Sequence, residues 1–173
     1  MEIIIEILKY SLPSLFLLLL CYMMLTNFME NEEKRRSYFL KKETQKSSLP
    51  IRLQAYERIS MFLERITPER LLLRVSSQGL TVQEYRKLLV SNIRQEFEHN
   101  LSQQIYLSED AWKLVVNSKS ATVGIINNVA GEMDPKAEGV QLSKTLLNKA
   151  MEMESFPTKK ALAYLKGEVR RDF

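Results

Sequence analysis

Hydrophobic residues are arranged in two different ways along the chain. From about Ile7 to Met29 they are nearly continuous, and no charged residue lies between Tyr10 and Met29. At about 1.5 Å of rise per residue, a helix of this length crosses a hydrocarbon core of about 30 Å. From Ile51 onward hydrophobic residues instead recur at every third or fourth position, as in amphipathic helices. The pattern therefore predicts one membrane-spanning helix followed by a soluble helical domain.

Capping signals divide this second part into a compact bundle of about five helices. Thr67-Pro68, the capping box Thr81–Glu84, Ser108 and Pro157 each predict the start of a helix. The helix after Thr81 is expected to extend as far as Ile105. The positions expected to face the core are Ala55, Tyr56, Ile59, Phe62, Leu63, Ile66, Tyr85, Leu88, Leu89, Ile93, Phe97, Leu101, Ile105, Trp112, Val115, Val116, Val123, Ile126, Val129, Leu142, Leu146, Leu147, Ala150, Ala161, Leu162, Leu165 and Val169.

No sustained alternation of apolar and polar residues predicts a β-sheet, so the fold class is expected to be all-α. The β-branched run ATVGIINNV (residues 121–129) is the place where a strand remains an alternative. Ser47, Ser48 and Pro50 predict a hinge. The expected organisation is a transmembrane anchor at 1–29, a charged juxtamembrane linker at 30–49 and a helical domain at 50–173.

The N-terminal segment is interpreted as a retained anchor. A cleaved signal peptide begins with a basic region, whereas Glu2 and Glu6 precede the lone Lys9 here. Lipid attachment at Cys21 would need a small residue before it, and Leu20 is not small.

Basic residues are concentrated after the apolar segment, which predicts an external N-terminus and a cytoplasmic C-terminal domain. Lys9 precedes the segment. The basic residues that follow it, and that are candidates for contact with an anionic surface, are Lys34, Arg35, Arg36, Lys41 and Lys42. The alternative for this stretch is a solvated extension of the helix.

The charge balance and the single cysteine restrict the classes of partner and compartment. The 173 residues include 25 basic and 21 acidic side chains, and a net charge of +4 does not by itself indicate nucleic acid. One cysteine excludes an intrachain disulfide, as suits a reducing compartment. Arginines between residues 52 and 94 alternate with glutamates, which predicts ion pairs on exposed helices and leaves an anionic partner as the alternative.

Motifs for catalysis or metal binding are incomplete. Glu96 and His99 have the Glu-x-x-His spacing of di-iron bundles, but the chain has one histidine, so a second such motif cannot form within it. Gly-x-Ser-x-Gly and glycine-rich phosphate loops do not occur. We therefore expect a protein without enzymatic activity, metal or cofactor, with His99 packed or hydrogen-bonded at a boundary between helices.

A polar stretch in the middle of the domain is the candidate partner contact: Asn100, Gln103, Gln104 and Tyr106. Its amides are expected to satisfy carbonyl groups at a helix end. The sharper hypothesis is that the stretch forms a docking loop, in which the amphipathic ring of Tyr106 contacts another protein.

The segments EFEHNLSQQIYLSEDAW (Glu96 to Trp112) and LPIRLQAYERISMFLERITPERLLLRV (Leu49 to Val75) resemble an uncharacterised bacterial family of short single-span proteins with a cytoplasmic helical domain. The resemblance extends from the anchor to about Val129. It implies an architecture and a location in the bacterial inner membrane, and it carries no catalytic residue.

The function expected from these features is that of a membrane-anchored, non-catalytic interaction or accessory protein. Its expected partners are the lipid bilayer and other subunits of a membrane complex, for which it would serve as a subunit or scaffold. The alternative is a basic module that tethers RNA, ribosomes or DNA to the membrane, and an enzyme with an unfamiliar site is the third hypothesis.

Overall fold

The computed structural model describes the backbone of residues 2–172 and the side chains of residues 9–10, 12–40 and 49–171. The regular elements of this part are α1 (Glu2–Arg65), α2 (Pro68–Arg74), α3 (Val82–His99), a 3₁₀ helix (Leu101–Tyr106), α4 (Glu109–Gly131), α5 (Gly139–Glu152) and α6 (Pro157–Asp172). Residues 2–172 contain no strand, and one isolated antiparallel bridge joins Thr81 to Glu138. The predicted all-α class is confirmed, and the alternative strand at 121–129 is wrong because these residues lie within α4.

The chain divides into two units, Met1–Leu49 and Pro50–Phe173, and α1 contributes residues to both. In the first unit, Leu12–Leu40 is a stretch of 29 helical residues long and apolar enough to cross a membrane. None of its most apolar part is buried within the protein. The backbone of residues 47–50 is helical, while the side chains of Ser47 and Ser48 lie outside the described residues. The assignment of 1–29 as anchor and 30–49 as linker stays a prediction.

The second unit has a continuous hydrophobic core to which α1 through α6 contribute. All six core positions predicted from Ala55 to Ile66 are buried, the first five on α1 and Ile66 directly after it. On the later helices the buried positions include Tyr85, Leu89, Ile93, Val115, Ile126, Val129, Leu142, Leu146, Ala150, Ala161 and Leu165. Half-buried side chains that pack against this core include Phe97, Trp112, Val123, Leu162 and Val169.

Four predicted core positions are wrong: Leu88, Leu101, Ile105 and Leu147 are exposed. Leu88 and Leu147 lie at the edges of the apolar faces of their helices, where the packed helices leave part of each side chain exposed. Leu101 and Ile105 have a different cause. The α-helix ends at His99, Asn100 leaves helical geometry at φ −105° and ψ 4°, and the following residues form a 3₁₀ helix. Because a 3₁₀ helix has three residues per turn, the predicted stripe does not continue through it.

Hydroxyl side chains lie among the apolar residues on the buried face of α4. Ser118 Oγ donates to Leu114 O at 2.8 Å and also contacts Pro157 O at 3.1 Å, and Thr122 Oγ1 donates to Ser118 O at 2.8 Å. These hydroxyl groups are thus satisfied by backbone carbonyls although they are buried. The Ser118 hydroxyl lies at the contact between α4 and α6, which pack against each other.

The predicted helix starts are confirmed, with one difference in detail. The hydroxyl of Thr81 accepts from Glu84 N at 3.3 Å and Glu84 Oε2 accepts from Thr81 N at 2.9 Å, which completes the capping box. Ser108 Oγ accepts from Ala111 N at 3.1 Å. Thr67 precedes α2 as predicted, but its hydroxyl donates to Glu64 O at 2.7 Å and makes no capping bond.

Candidate partner-docking surface

Aromatic ring contacts connect α3 and α4, the helices on either side of the predicted docking segment. The ring of Phe97 on α3 lies 5.8 Å from Phe62 on α1 and 5.5 Å from Trp112 on α4, between ring centroids. Lys119 Nζ lies 4.1 Å above the Phe97 ring, a cation–π geometry. Trp112 is half-buried and its ring stacks on Phe97, which in turn contacts Phe62. The segment 100–106 lies between Phe97 and Trp112 in the sequence, so the helices before and after it are connected by these ring contacts.

Asn100 is the structural part of this segment. Its side chain is buried, and Nδ2 donates to Glu96 O at 2.8 Å. Its backbone N–H donates to Phe97 O and its carbonyl accepts from Gln103 N, both at 3.0 Å. The expectation that Asn100 satisfies a carbonyl at a helix end is confirmed. Its contact with a partner stays a prediction.

The remaining residues of the segment present a mixed polar and apolar surface. Gln104 is exposed and Tyr106 is half-buried. Gln103 is half-buried, and its Nε2 donates to Ser102 Oγ at 3.3 Å. Ile105 is 72% exposed, so an apolar side chain that the sequence pattern assigned to the core lies on the surface among the predicted contact residues. The polar run Ser102 to Gln104 was the signal in the sequence that the buried stripe had ended.

A second surface joins α1, α2 and α3 through ion pairs. Glu96 Oε1 lies 3.1 Å from Arg65 Nη2 and also contacts Arg74 Nη1, while Arg70 Nε lies 3.3 Å from Glu64 Oε2. The expectation that arginines of this region form ion pairs is confirmed for these three. The sequence showed their alternation with glutamates, but it did not show that a single carboxylate on α3 binds two arginines from different elements.

Glu96 and His99, which have the Glu-x-x-His spacing, lie in different surroundings. Glu96 is occupied by Arg65 and Arg74, and His99 is exposed. Within the described residues there is no group of three or more His, Cys, Asp or Glu side chains that could hold a metal ion. His99 is exposed at the last position of α3, so its expected packing at a helix boundary is wrong, whereas a hydrogen bond of this side chain there stays a prediction.

The basic residues after the apolar segment are accessible where they are described. Lys34, Arg35 and Arg36 are exposed, and the Arg35 guanidinium lies 5.8 Å from the centroid of the Phe39 ring. The side chains of Lys41 and Lys42 lie outside the described residues. The contact of this group with an anionic surface stays a prediction.

The buried tyrosines belong to the scaffold. Tyr85 OH donates to Val75 O at 2.8 Å, and burial raises the pKa of the Tyr85 phenol above its usual value of 10.0. Burial also raises the pKa of Tyr56, and the nearby Glu168 carboxylate raises it further. Both phenols are therefore neutral at ordinary pH and act as hydrogen-bonding groups.

Comparison with known proteins places the chain in a family whose role is open. No curated protein and no solved structure matches it. A family model described as "Family of unknown function (DUF7935)" matches residues 2–172. The resemblance to an uncharacterised family is confirmed in this form, whereas a bacterial origin and a single membrane span stay predictions. Because the match extends over nearly the whole chain, this protein belongs to the family DUF7935.

Proposed function

We propose that this protein is a membrane-anchored, non-catalytic interaction protein that presents its helical domain to the cytoplasm. In this proposal residues 1–29 anchor the chain in a bacterial inner membrane. The domain 50–173 docks other subunits of a membrane complex, for which the protein serves as a subunit or scaffold.

The observation that carries the proposal is the apolar stretch of α1. Leu12–Leu40 is long enough to span a bilayer, and none of its most apolar part is buried in the protein. Consecutive large side chains from Leu15 to Leu20 cover every face of the helix rather than one stripe. A helix that is apolar on all sides and has no protein partner is stable in lipid, whereas in water it would expose a large hydrophobic area.

The distribution of charge supports the proposed orientation. Lys34, Arg35 and Arg36 are exposed at one end of the apolar stretch, and Lys9 lies at the other. An excess of basic residues at the membrane end favours retention of that side in the cytoplasm.

Two features favour docking over chemistry or nucleic-acid binding. The exposed residues Gln104 and Ile105 and the half-buried Tyr106 form a short segment between two helices, which is a common position for binding residues. Three arginines that could contact a phosphate backbone are instead paired with Glu64 and Glu96. Pairing lowers the positive potential on which RNA binding depends.

Orientation is tested with single cysteines in a Cys21→Ser background. We expect Tyr10→Cys to react with a membrane-impermeant maleimide added to intact bacterial spheroplasts. Met151→Cys on α5, whose side chain is 76% exposed, should react only after the membrane is permeabilised. The reverse pattern would contradict the orientation. A purified chain that begins near Cys21 or Asn27 would contradict the retained anchor.

Docking is tested by co-purification from detergent-solubilised membranes. We expect Ile105→Asp, and the combined change of Gln103, Gln104 and Tyr106 to Ala, to abolish the capture of partners. Ile105→Asp should leave the free energy of unfolding within about 0.5 kcal/mol, because the side chain is exposed.

Met151→Asp is the matched control, since Met151 is equally exposed and lies on a different helix. It should retain all partners. Loss of several kcal/mol in the triple variant would assign these residues to the core. RNA in the captured material that leaves steeply as salt is raised would favour the alternative, a module that tethers nucleic acid.

A further inference from the structure

Leu73 on α2 lies in contact with solvent although the two leucines before it are covered. Its side chain is 89% exposed, more than any other large hydrophobic side chain described in the second unit. Leu71 is fully buried and Leu72 is half-buried against the core. Leu73 therefore takes no part in the packing that holds α2, and its apolar character has no use within the described domain.

Three arginines surround this leucine. Arg65, Arg70, Leu73 and Arg74 line one open hollow of about 370 Å³. The Arg70 side chain is 67% exposed, and those of Arg65 and Arg74 are 44% and 31% exposed. The hollow thus combines an apolar group with three guanidinium groups that solvent can reach.

The ion pairs leave part of this binding capacity free. Three guanidinium groups share the two carboxylates of Glu64 and Glu96, so this set of five side chains carries one positive charge in excess. Each guanidinium has five N–H donors in a planar fork, of which a single shared carboxylate oxygen can use few. The Arg70–Glu64 pair is exposed, and pairs of this kind are weak enough for another carboxylate to replace them.

We propose that this hollow binds an acidic segment of a partner protein, with an apolar side chain against Leu73 and carboxylates on Arg70 and its neighbours. The inference rests on the proposed docking function and names the chemistry of one partner surface. Planar guanidinium groups match carboxylates in geometry, and two of these arginines already bind a carboxylate oxygen of Glu96 within the domain.

The charge and shape of the hollow select this occupant over two others. An excess of one positive charge suits a segment with a few carboxylates better than a polyanion such as RNA. RNA-binding surfaces also commonly use aromatic side chains for base stacking, and the residue at this position is leucine. A lone leucine among charged side chains offers little area for insertion into a bilayer.

The test measures peptide binding to the full-length chain in detergent micelles by fluorescence anisotropy. The probe is a labelled synthetic peptide in which glutamates flank a leucine, and its counterpart carries lysines in place of the glutamates. We expect the acidic peptide to bind at least about tenfold tighter than the basic one, and Leu73→Ser or Arg70→Glu to weaken it about tenfold.

Met151→Ser and Lys149→Glu on α5 are matched controls, because they remove an exposed apolar group and reverse an exposed charge elsewhere. They should bind the acidic peptide like the unaltered protein. Equal binding of both peptides, or equal effects of the test and control variants, would overturn the proposal. Binding of phosphatidylglycerol vesicles that requires Leu73, without binding of the acidic peptide, would assign the hollow to lipid and also overturn it.

Failure here is separable from failure of the proposed function. If Ile105→Asp abolishes capture of partners from membranes while Leu73→Ser and Arg70→Glu retain all of them, the docking function stands and the acidic-segment site is wrong. If no variant changes what is captured, the docking function itself fails.

Discussion

At the scale of single residues, Glu96 contacts residues of two other helices and the residue that caps its own helix, and no sequence motif predicted this. Its carboxylate binds Arg65 at the end of α1 and Arg74 at the end of α2. Its backbone carbonyl accepts from Asn100, which ends α3. The side chain is 17% exposed, so these charge-assisted bonds are partly shielded from water. One residue thus positions the arginine hollow and the start of the 3₁₀ segment together.

Replacing Glu96 with Gln tests this connection. We expect a loss of about 1 to 2 kcal/mol in the free energy of unfolding, because two guanidinium groups lose their counter-charge in a partly exposed site. Urea denaturation of the fragment 50–173 provides the measurement. Glu109→Gln is the control, since its pair with Lys113 is a solvent-exposed i,i+4 contact and should cost under about 0.5 kcal/mol. Equal losses in the two variants would show that Glu96 does not hold the elements together.

Ionisation of Tyr85 is expected to lower the free energy of unfolding at alkaline pH. Because burial raises its pKa in the folded state, its contribution is complete below the unfolded pKa near 10.0 and is lost as pH rises through the raised value. We expect Tyr85→Phe to cost about 0.5 to 1.5 kcal/mol at neutral pH, through loss of the bond to Val75 O. Above pH 10 its stability should fall less steeply than that of the unaltered fragment. A slope in Tyr85→Phe identical to that of the unaltered fragment would contradict the assignment.

At the scale of elements, the starts of α3 and α5 are joined by backbone hydrogen bonds. Gly139 N donates to Leu80 O at 2.8 Å and Val82 N donates to Ala137 O at 2.9 Å, beside the bridge between Thr81 and Glu138. A Cβ on Gly139 would lie 3.0 Å from Leu80 O and 3.1 Å from Tyr85 Cβ. This close approach is the reason for glycine at the first position of α5.

Gly139→Ala should therefore destabilise the fragment by about 1 to 3 kcal/mol, because backbone atoms of two elements must move apart. Gly167→Ala on α6 provides the matched control, since a Cβ there meets nothing within 4 Å. That change should be neutral or stabilise by up to about 1 kcal/mol, through helix propensity. Thermal or urea unfolding of the two variants distinguishes them, and a harmless Gly139→Ala would mean that the junction yields easily.

At the scale of the whole molecule, the two units have different requirements for stability. The side chains of Pro50–Phe173 form a core of their own, whereas the described apolar side chains of Met1–Leu49 are exposed. The hydrophobic core described here thus lies within the second unit, and the described apolar side chains of the first unit are not part of it.

We expect residues 50–173, expressed alone, to be soluble and to unfold in one cooperative transition, as small single domains usually do. Its far-ultraviolet circular dichroism should be strongly helical, and the Trp112 fluorescence should shift to longer wavelength on unfolding as its stacked ring becomes hydrated. The full-length chain should require detergent. A fragment with helical dichroism but no cooperative transition would show that the core needs residues before Pro50.

The sequence by itself determined the features that depend on near neighbours in the chain. Helix starts at Thr81 and Ser108 follow from side chains that reach a backbone N–H three residues away, and the stripe from Ala55 to Ile66 follows from helical spacing. The apolar stretch on α1 was equally visible, because membrane-spanning length is a local property.

Only the tertiary structure decided which apolar and charged groups are left uncovered. Leu71, Leu72 and Leu73 have the same side chain. They range from buried to exposed because only one side of α2 packs against the core. The end of the α3 stripe before Ile105, and the sharing of Glu96 by Arg65 and Arg74, depend on where other helices lie. Spacing along one helix states which residues share a face, but burial also requires a second surface, and that surface comes from residues distant in the sequence.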